Sequence, residues 1–340
     1  MFFSRIIGQE KAKRFLENVM RRERVPHAYL FTGISGIGKT RTAKAFCMTL
    51  NCHAPSGLDG CGVCPSCRKI LNGNFPDFVT ISPDGQKIKI EQIRGLNRSL
   101  GYAPLAGGFR VCVMHRAEAM TGEAANSFLK TLEEPPSGNI FVLNATEPQD
   151  LLPTIVSRCQ RVSFKPLNAE EIVRQLRKET DLDKSSVAVL ARASNGSLGR
   201  ALEMGESNYL ERRRIWLKKL LALNSRSSAE AMNMAVESAK ETRLGLDQPG
   251  NKKVGIFDLL FVWATWYRDL LLVRAGAPKD LLINWDFQEQ LEKTALGVPL
   301  QNLILSFHHV DQAVRDLHRM RNPTLVLENT VLNLRKLGRS

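Results

Sequence analysis

At 340 residues the chain is too long for one ordinary core, so two or three domains are expected. Hydrophobic residues make up 43% and aromatics 7%, which favours a helix-rich protein over an all-β one, and no stretch approaches the ~18 uncharged apolar residues of a membrane span. Lysines and arginines number 48 against 34 acidic residues; the resulting charge of +14 attracts nucleic acid, acidic proteins and nucleotides alike, and selects none of them.

Residues 1–10 hold no apolar run ahead of a cleavage site, so secretion is not expected and a cytoplasmic protein is. Basic residues gather at Lys11, Lys13, Arg14, Arg21, Arg22 and Arg24, and again at Arg212, Arg213, Arg214, Lys218 and Lys219. Each cluster reads equally well as a solvated helix face or as a contact for polyanions. An apolar run at 28–31 has strand length and leads into Gly33-Ile34-Ser35-Gly36-Ile37-Gly38-Lys39-Thr40, which matches G-x-x-x-x-G-K-[ST] and opens a helical pattern over 40–50. The glycines let backbone N–H groups turn inward at phosphates, and the helix N-terminus adds a favourable dipole. Lys39 would reach the β- and γ-phosphates of ATP or ADP, and Thr40 would offer its hydroxyl to Mg²⁺.

Four of the seven cysteines follow within 16 residues: Cys52, Cys61, Cys64 and Cys67. Two C-x-x-C pairs sharing Cys64 suit a tetrahedral Zn²⁺, and four thiolates with no open position make such a site structural. Cys47, Cys112 and Cys159 lie on apolar elements and read as small core residues.

Strand-like runs at 78–81 and 111–114 bracket a helical pattern at 90–100. A hydrolysing phosphate-loop enzyme needs the second of these strands to end in carboxylates that order Mg²⁺ and a water. Here it ends in His115-Arg116. Histidine is a poor ligand for a hard cation, and arginine neither binds metal nor accepts a proton. Glu118 lies past the strand end and is expected to point elsewhere. A helical pattern at 123–133 stops at Pro135-Pro136, and strands at 140–143 and 162–164 complete the alternation. An α/β domain with a parallel sheet covered by helices is expected. Beyond Asn168, a plausible N-cap before Glu170 and Glu171, the strand signals cease. Short helices are expected to about Glu203 with a break at Asn195-Gly196, then long helices from Tyr209 with a loop over 246–255.

Taken together, these features resemble the AAA+ clamp-loader family of bacterial replication. The likeness is carried by Ile6-Ile7-Gly8-Gln9, His27-Ala28-Tyr29-Leu30-Phe31, the cysteine insertion, Leu129-Lys130-Thr131-Leu132-Glu133-Glu134-Pro135-Pro136 and Ser157-Arg158-Cys159. It is specific over about residues 1–205 and weaker beyond, where Trp266-Tyr267-Arg268-Asp269-Leu270 is the best match. The resemblance implies an AAA+ P-loop domain over 1–166 with a zinc-binding insertion at 52–67, a helical lid over 167–207, and a helical collar for oligomerisation over 208–340. It implies nucleotide contacts from Ile7, Gly33, Gly36, Ile37, Gly38, Lys39 and Thr40, and from Arg200 as the second domain's sensor arginine, although Arg200 sits one residue out of register. Asn144 or Thr146 would be the first sensor.

Loss of the acidic pair places the chain with the branch of this family that has lost hydrolysis. Its Arg158 would reach into a neighbouring ATPase subunit and contact the γ-phosphate. The implied partners are gamma/tau-type ATPase subunits and the delta subunit, with the sliding clamp and primed DNA met through the complex. No polymerase acidic triad is visible. Two rival readings are a working gamma/tau-like ATPase completed by Glu118, and a DNA-binding protein whose basic clusters grip phosphates.

Overall fold

Both faces of the central sheet are apolar, and that sets the architecture. The computed structural model describes residues 2–22, 25–244 and 254–338. Strands β1 (Ala28–Thr32), β2 (Phe78–Ile81), β3 (Arg110–Met114), β4 (Asn139–Ala145) and β5 (Gln160–Ser163) form one parallel sheet in the order β2-β3-β4-β1-β5. Along β1, Tyr29 and Phe31 enter one core while Ala28 and Leu30 enter the other. This period-two division leaves no polar face, as expected of a sheet covered by helices on both sides.

The first core gathers Leu16 of α1 (Glu10–Arg21), Phe46 of α2 (Lys39–Leu50) and Ile70 of α3 (Pro65–Leu71). Tyr29 meets the Phe46 ring edge-on, with centroids 5.4 Å apart. The second core gathers Ile93 and Leu96 of α4 (Ile90–Leu100), Phe128 and Leu132 of α5 (Gly122–Glu133), and Ile155 of α6 (Pro153–Val156). Thr121 caps α5 by accepting from the Ala124 N–H at 3.2 Å, and the helix stops ahead of Pro135, whose ring disfavours a helical residue before it.

Beside the sheet edge, Asp77 and Arg110 form a buried pair with 3.3 Å between Oδ1 and Nε. Arg110 also donates to the carbonyls of Ser99, Tyr102 and Ala103, and Asp77 accepts from the N–H groups of Leu105 and Ala106. The connection from α4 to β3 is thereby tied to both residues.

The chain divides into two compact units, Met1–Glu171 with Gly196–Gly199, and Ile172–Asn195 with Arg200–Ser340. Helix α7 (Ala169–Glu179) starts as expected at Asn168: its Oδ1 accepts from the Glu171 N–H at 2.7 Å, and the Glu171 carboxylate accepts from the Asn168 N–H at 3.0 Å. Then come α8 (Lys184–Ala193) and α9 (Leu198–Glu206), separated at Asn195 and Gly196, both at positive φ.

The rest of the second unit is helical: α10 (Tyr209–Leu221), α11 (Ser228–Leu244), α12 (Ile256–Arg274), α13 (Gln288–Gly297), α14 (Leu300–His318) and α15 (Pro323–Leu337). Helix α12 packs on α10, α13 and α14 around the buried Trp216, Trp263 and Trp266. Arg213 is fully buried, against the solvated or polyanion-facing role open to its cluster. Its two Nη atoms grip the Asp286 carboxylate at 2.7 and 2.8 Å, and Nη2 also donates to Asn284. Asn284 donates in turn to Asp269, whose pKa burial raises against the pull of those hydrogen bonds. Arg24 and most of the loop expected at 246–255 lie outside the described residues; Val254 and Gly255 lead into α12. Among the described residues no helix is long and apolar enough to cross a membrane. The expected fold class, an α/β P-loop domain followed by helical regions, is the observed one.

Candidate functional site

The phosphate loop joins β1 to α2 as the motif requires. Gly33, Gly36 and Gly38 have φ of 138°, 73° and 108°, a region that side chains disfavour. At Gly33 space is lacking as well, because a Cβ would lie 2.6 Å from the Phe164 carbonyl oxygen. Ile37 is buried beneath the loop. The Lys39 ammonium donates to the carbonyl of Gly33 and to that of Ile34 at 3.0 Å. Burial lowers its pKa, and the negative charge of Glu118 opposes that shift.

Two further elements brace the loop within the same unit. Ser197 donates from Oγ to the Ser35 carbonyl at 2.8 Å, and the Gly199 N–H donates to the Gly36 carbonyl at 2.9 Å. From the N-terminal segment, the Gln9 side-chain amide pairs with the backbone of Lys165 in both directions, at 2.8 and 2.9 Å. That fixes the Ile6–Gln9 stretch, including Ile7, beside the end of β5. Ser197 and Gly199 carry no chemistry of their own, and motif reading passed over their part in supporting the loop.

Thr40 Oγ1 is the meeting point of the site. Asn144 Nδ2 donates to it at 3.1 Å, and His115 Nδ1 lies 3.2 Å away. Asn144 takes one lone pair of the hydroxyl, and the direction of the bond to His115 follows the ring tautomer, since the oxygen can either donate to Nδ1 or accept from it. Burial lowers the His115 pKa and favours the neutral ring. The structure therefore brings Asn144 to Thr40, whereas the Thr146 side chain is exposed and its carbonyl accepts from the Gly33 N–H. A nitrogen-rich set around Thr40 does not fit a hard divalent cation.

Glu118 lies past the end of β3, as its position in the sequence requires. Arg116 adopts a left-handed conformation with φ 50°, and a single 3₁₀ turn, Ala117–Ala119, follows. Glu118 lies in this turn, one of its carboxylate oxygens is buried and unpaired, and, against the lowering by burial, its negative charge raises the Lys39 pKa. The Arg116 side chain is exposed.

Arg158, past the end of α6, donates to the Thr154 carbonyl at 3.0 Å and to Glu133 Oε1 at 2.7 Å. Arg200 belongs to the second unit, where its guanidinium stacks 3.8 Å from the Phe261 ring centroid and lies 3.7 Å from Asp258 Oδ1.

The Sγ atoms of Cys52, Cys61, Cys64 and Cys67 all lie within 4.8 Å of one another, with Cys61 and Cys67 at 4.0 Å. A tetrahedron with Zn–S bonds of 2.3 Å has edges of about 3.8 Å, so the set fits a four-thiolate metal. Backbone N–H groups of Cys61, Cys64 and Cys67 donate to the preceding sulfurs, as they do for thiolates. Hydrogen bonds from the Val63 and Cys64 backbone lower the Cys61 thiol to about 6, whereas burial raises that of Cys67. Cys47, Cys112 and Cys159 are buried in the cores, as expected.

The family described as DNA polymerase III, delta subunit, matches residues 8–168. The chain is similar to DNA polymerase III subunit delta' of Bacillus subtilis, with 30% identity over 96% of each chain. Subunit tau of the same organism is 28% identical over 98% of this chain and 61% of its own length. Subunit tau of Escherichia coli is 38% identical over 59% of this chain and 32% of its own length. The chain thus spans less than two thirds of these tau subunits. Among solved structures, a DNA polymerase III gamma subunit-related protein of Thermotoga maritima is similar over 97% of this chain and 99% of that one, with 21% identity and a TM-score of 0.40. The RuvB Holliday junction branch migration motor of the same organism is similar over 87% and 89%, with 15% identity and a TM-score of 0.43.

Proposed function

The chain belongs to the family of DNA polymerase III delta-prime and tau/gamma subunits, and from that premise we propose that it is a delta-prime-like subunit of the clamp loader. In this reading it holds a nucleotide on its phosphate loop without hydrolysing it, and helps load the sliding clamp onto primed DNA in the cytoplasm. Its partners are gamma/tau-type ATPase subunits and the delta subunit, and its own contribution to their chemistry is Arg158. A guanidinium set on the developing charge of a transferring phosphoryl group raises a neighbour's rate by as much as ~10³- to 10⁵-fold. The lid over 167–207, the collar over 208–340 and a zinc ion on the four cysteines complete the proposal. The observation that carries it is the pairing of Thr40 with His115, at the position where a hydrolysing site needs a carboxylate.

The phosphate loop and Lys39 would bind the nucleotide, and the loop's inward N–H groups would carry most of the phosphate contact. Asn144 and His115 hold the Thr40 hydroxyl in one orientation. With His115 Nδ1 engaged by Thr40 and Asn144 offering no basic atom, neither group is set to order Mg²⁺ and an attacking water as carboxylates would, so the bound nucleotide persists.

A second reading, an active gamma/tau-like ATPase, is favoured by one observation: the buried, unpaired Glu118 oxygen near Lys39. Steady-state ATP turnover by the isolated chain decides between them. Turnover that disappears in both Lys39→Ala and Glu118→Gln would install the second reading. An inert chain that still binds nucleotide, and whose Arg158→Ala form slows the reconstituted loader, supports the first.

A further inference from the structure

The side chain of Arg158 is held from two sides within its own unit. Nη1 donates to the Thr154 carbonyl at 3.0 Å and to Ser157 Oγ at 3.4 Å, while Nη2 donates to Glu133 Oε1 at 2.7 Å. Both anchors lie on helices packed into the core. Thr154 lies in α6, whose Ile155 and Val156 are buried, and Cys159 on the far side of Arg158 is buried too. Glu133 is the last residue of α5, whose Thr131 and Leu132 are buried and whose course is ended by the prolines beyond.

We infer that Glu133 is a positioning residue for Arg158, holding the guanidinium ready for a phosphate oxygen of a neighbouring subunit. The inference rests on the trans-acting arginine of the preceding subsection. An opposite role, sequestering the arginine, is decided against by strength. The side chains of Arg158 and Glu133 are 36% and 50% exposed, so water screens the pair and it is weak. It cannot hold Arg158 back from a polyphosphate, a far more highly charged acceptor. A weak contact can still bias the rotamers of a long, flexible side chain, and a guanidinium fixed at one edge loses little further freedom on meeting its target. Nε makes no hydrogen bond with the described residues, so that donor is left to an external oxygen.

The test is ATP turnover by the reconstituted loader, with sliding clamp and primed DNA, across a range of ATP concentrations. The variants are Glu133→Gln, Glu133→Asp, Arg158→Ala and the Glu133→Gln/Arg158→Ala double, with a thermal melt of each. Glu133→Gln is expected to lower kcat about 3- to 10-fold while KM stays within about twofold, since only orientation at the reacting phosphate is lost. Glu133→Asp should recover most of that loss, and Glu133→Gln should cost nothing further once Arg158 is alanine. An equal loss in the Arg158→Ala background, a faster Glu133→Gln loader, or an effect confined to the melting temperature would each overturn the inference. If Arg158→Ala is slow and Glu133→Gln matches wild type, the positioning role alone fails. If Arg158→Ala itself matches wild type, the trans-acting arginine fails and the positioning role falls with it.

Discussion

The N–H of Gly199 donates to the carbonyl of Gly36 at 2.9 Å, so Gly199 sits directly on the phosphate loop. A Cβ at Gly199 would lie 2.8 Å from that carbonyl oxygen and 3.0 Å from the Gly36 Cα. Both obstacles are backbone, which cannot swing aside as a side-chain tip can. Gly199→Ala should therefore displace the loop and weaken ADP binding by about 10-fold or more, the worth of one or two lost hydrogen bonds to phosphate. Calorimetric titration checks this. Wild-type affinity in the variant would mean that the loop holds its shape alone.

Lys39→Ala should lower nucleotide affinity by about 10- to 100-fold, as expected for one charged hydrogen bond. The donor set at Thr40 makes a further, less usual demand. Because His115 and Asn144 already satisfy the hydroxyl, EDTA should change wild-type affinity by less than about twofold. His115→Asp puts a carboxylate beside Thr40 and should make binding depend on Mg²⁺ by about 10-fold. Strong EDTA sensitivity in the wild-type chain would point instead to Glu118 as a metal ligand.

Asp77→Ala leaves Arg110 buried with no charged partner and the Leu105 and Ala106 N–H groups with no side-chain acceptor. Removing one member of a buried pair costs about 3–5 kcal/mol. Urea unfolding followed by circular dichroism should show a loss of that size, and a loss below about 1 kcal/mol would mean that water replaces the carboxylate.

The purified chain should carry one zinc ion, and Cys61→Ser should lose it and lower the melting temperature. The Cys61 thiol falls from an ordinary 9.0 to about 6 in the folded chain. A depressed acid stabilises the fold fully above its unfolded value and loses that contribution as pH falls through the folded one. Protons compete with the metal for the four thiolates, so release of metal to a chromophoric chelator should increase as pH falls into the acid range. Retention unchanged down to pH ~4 would contradict the thiolate assignment.

Much of this was legible in the sequence, for identifiable reasons. The sheet's strands are apolar runs bounded by turn residues, so their positions were read to within one or two residues. The phosphate loop and the cysteine spacing state their chemistry in residue type and order. The turn that carries Glu118 was not legible, because it begins at Arg116 in the left-handed region, for which arginine has no preference. Arg213 sits among charged neighbours on α10, and its burial depends on Asp286 and Asn284, which lie far along the chain. Glu133 and Arg158 each stood inside a recognisable motif, but only the fold shows them touching.

The strand order has a consequence for the making of this protein. β1 pairs only with β4 and β5, both of which are synthesised after β2 and β3. On the ribosome, five buried residues and the nascent phosphate loop must wait, unpaired and sticky, for more than a hundred further residues to emerge. Strand β1 thus spends synthesis as an unpaired apolar segment and ends fully buried inside the folded sheet.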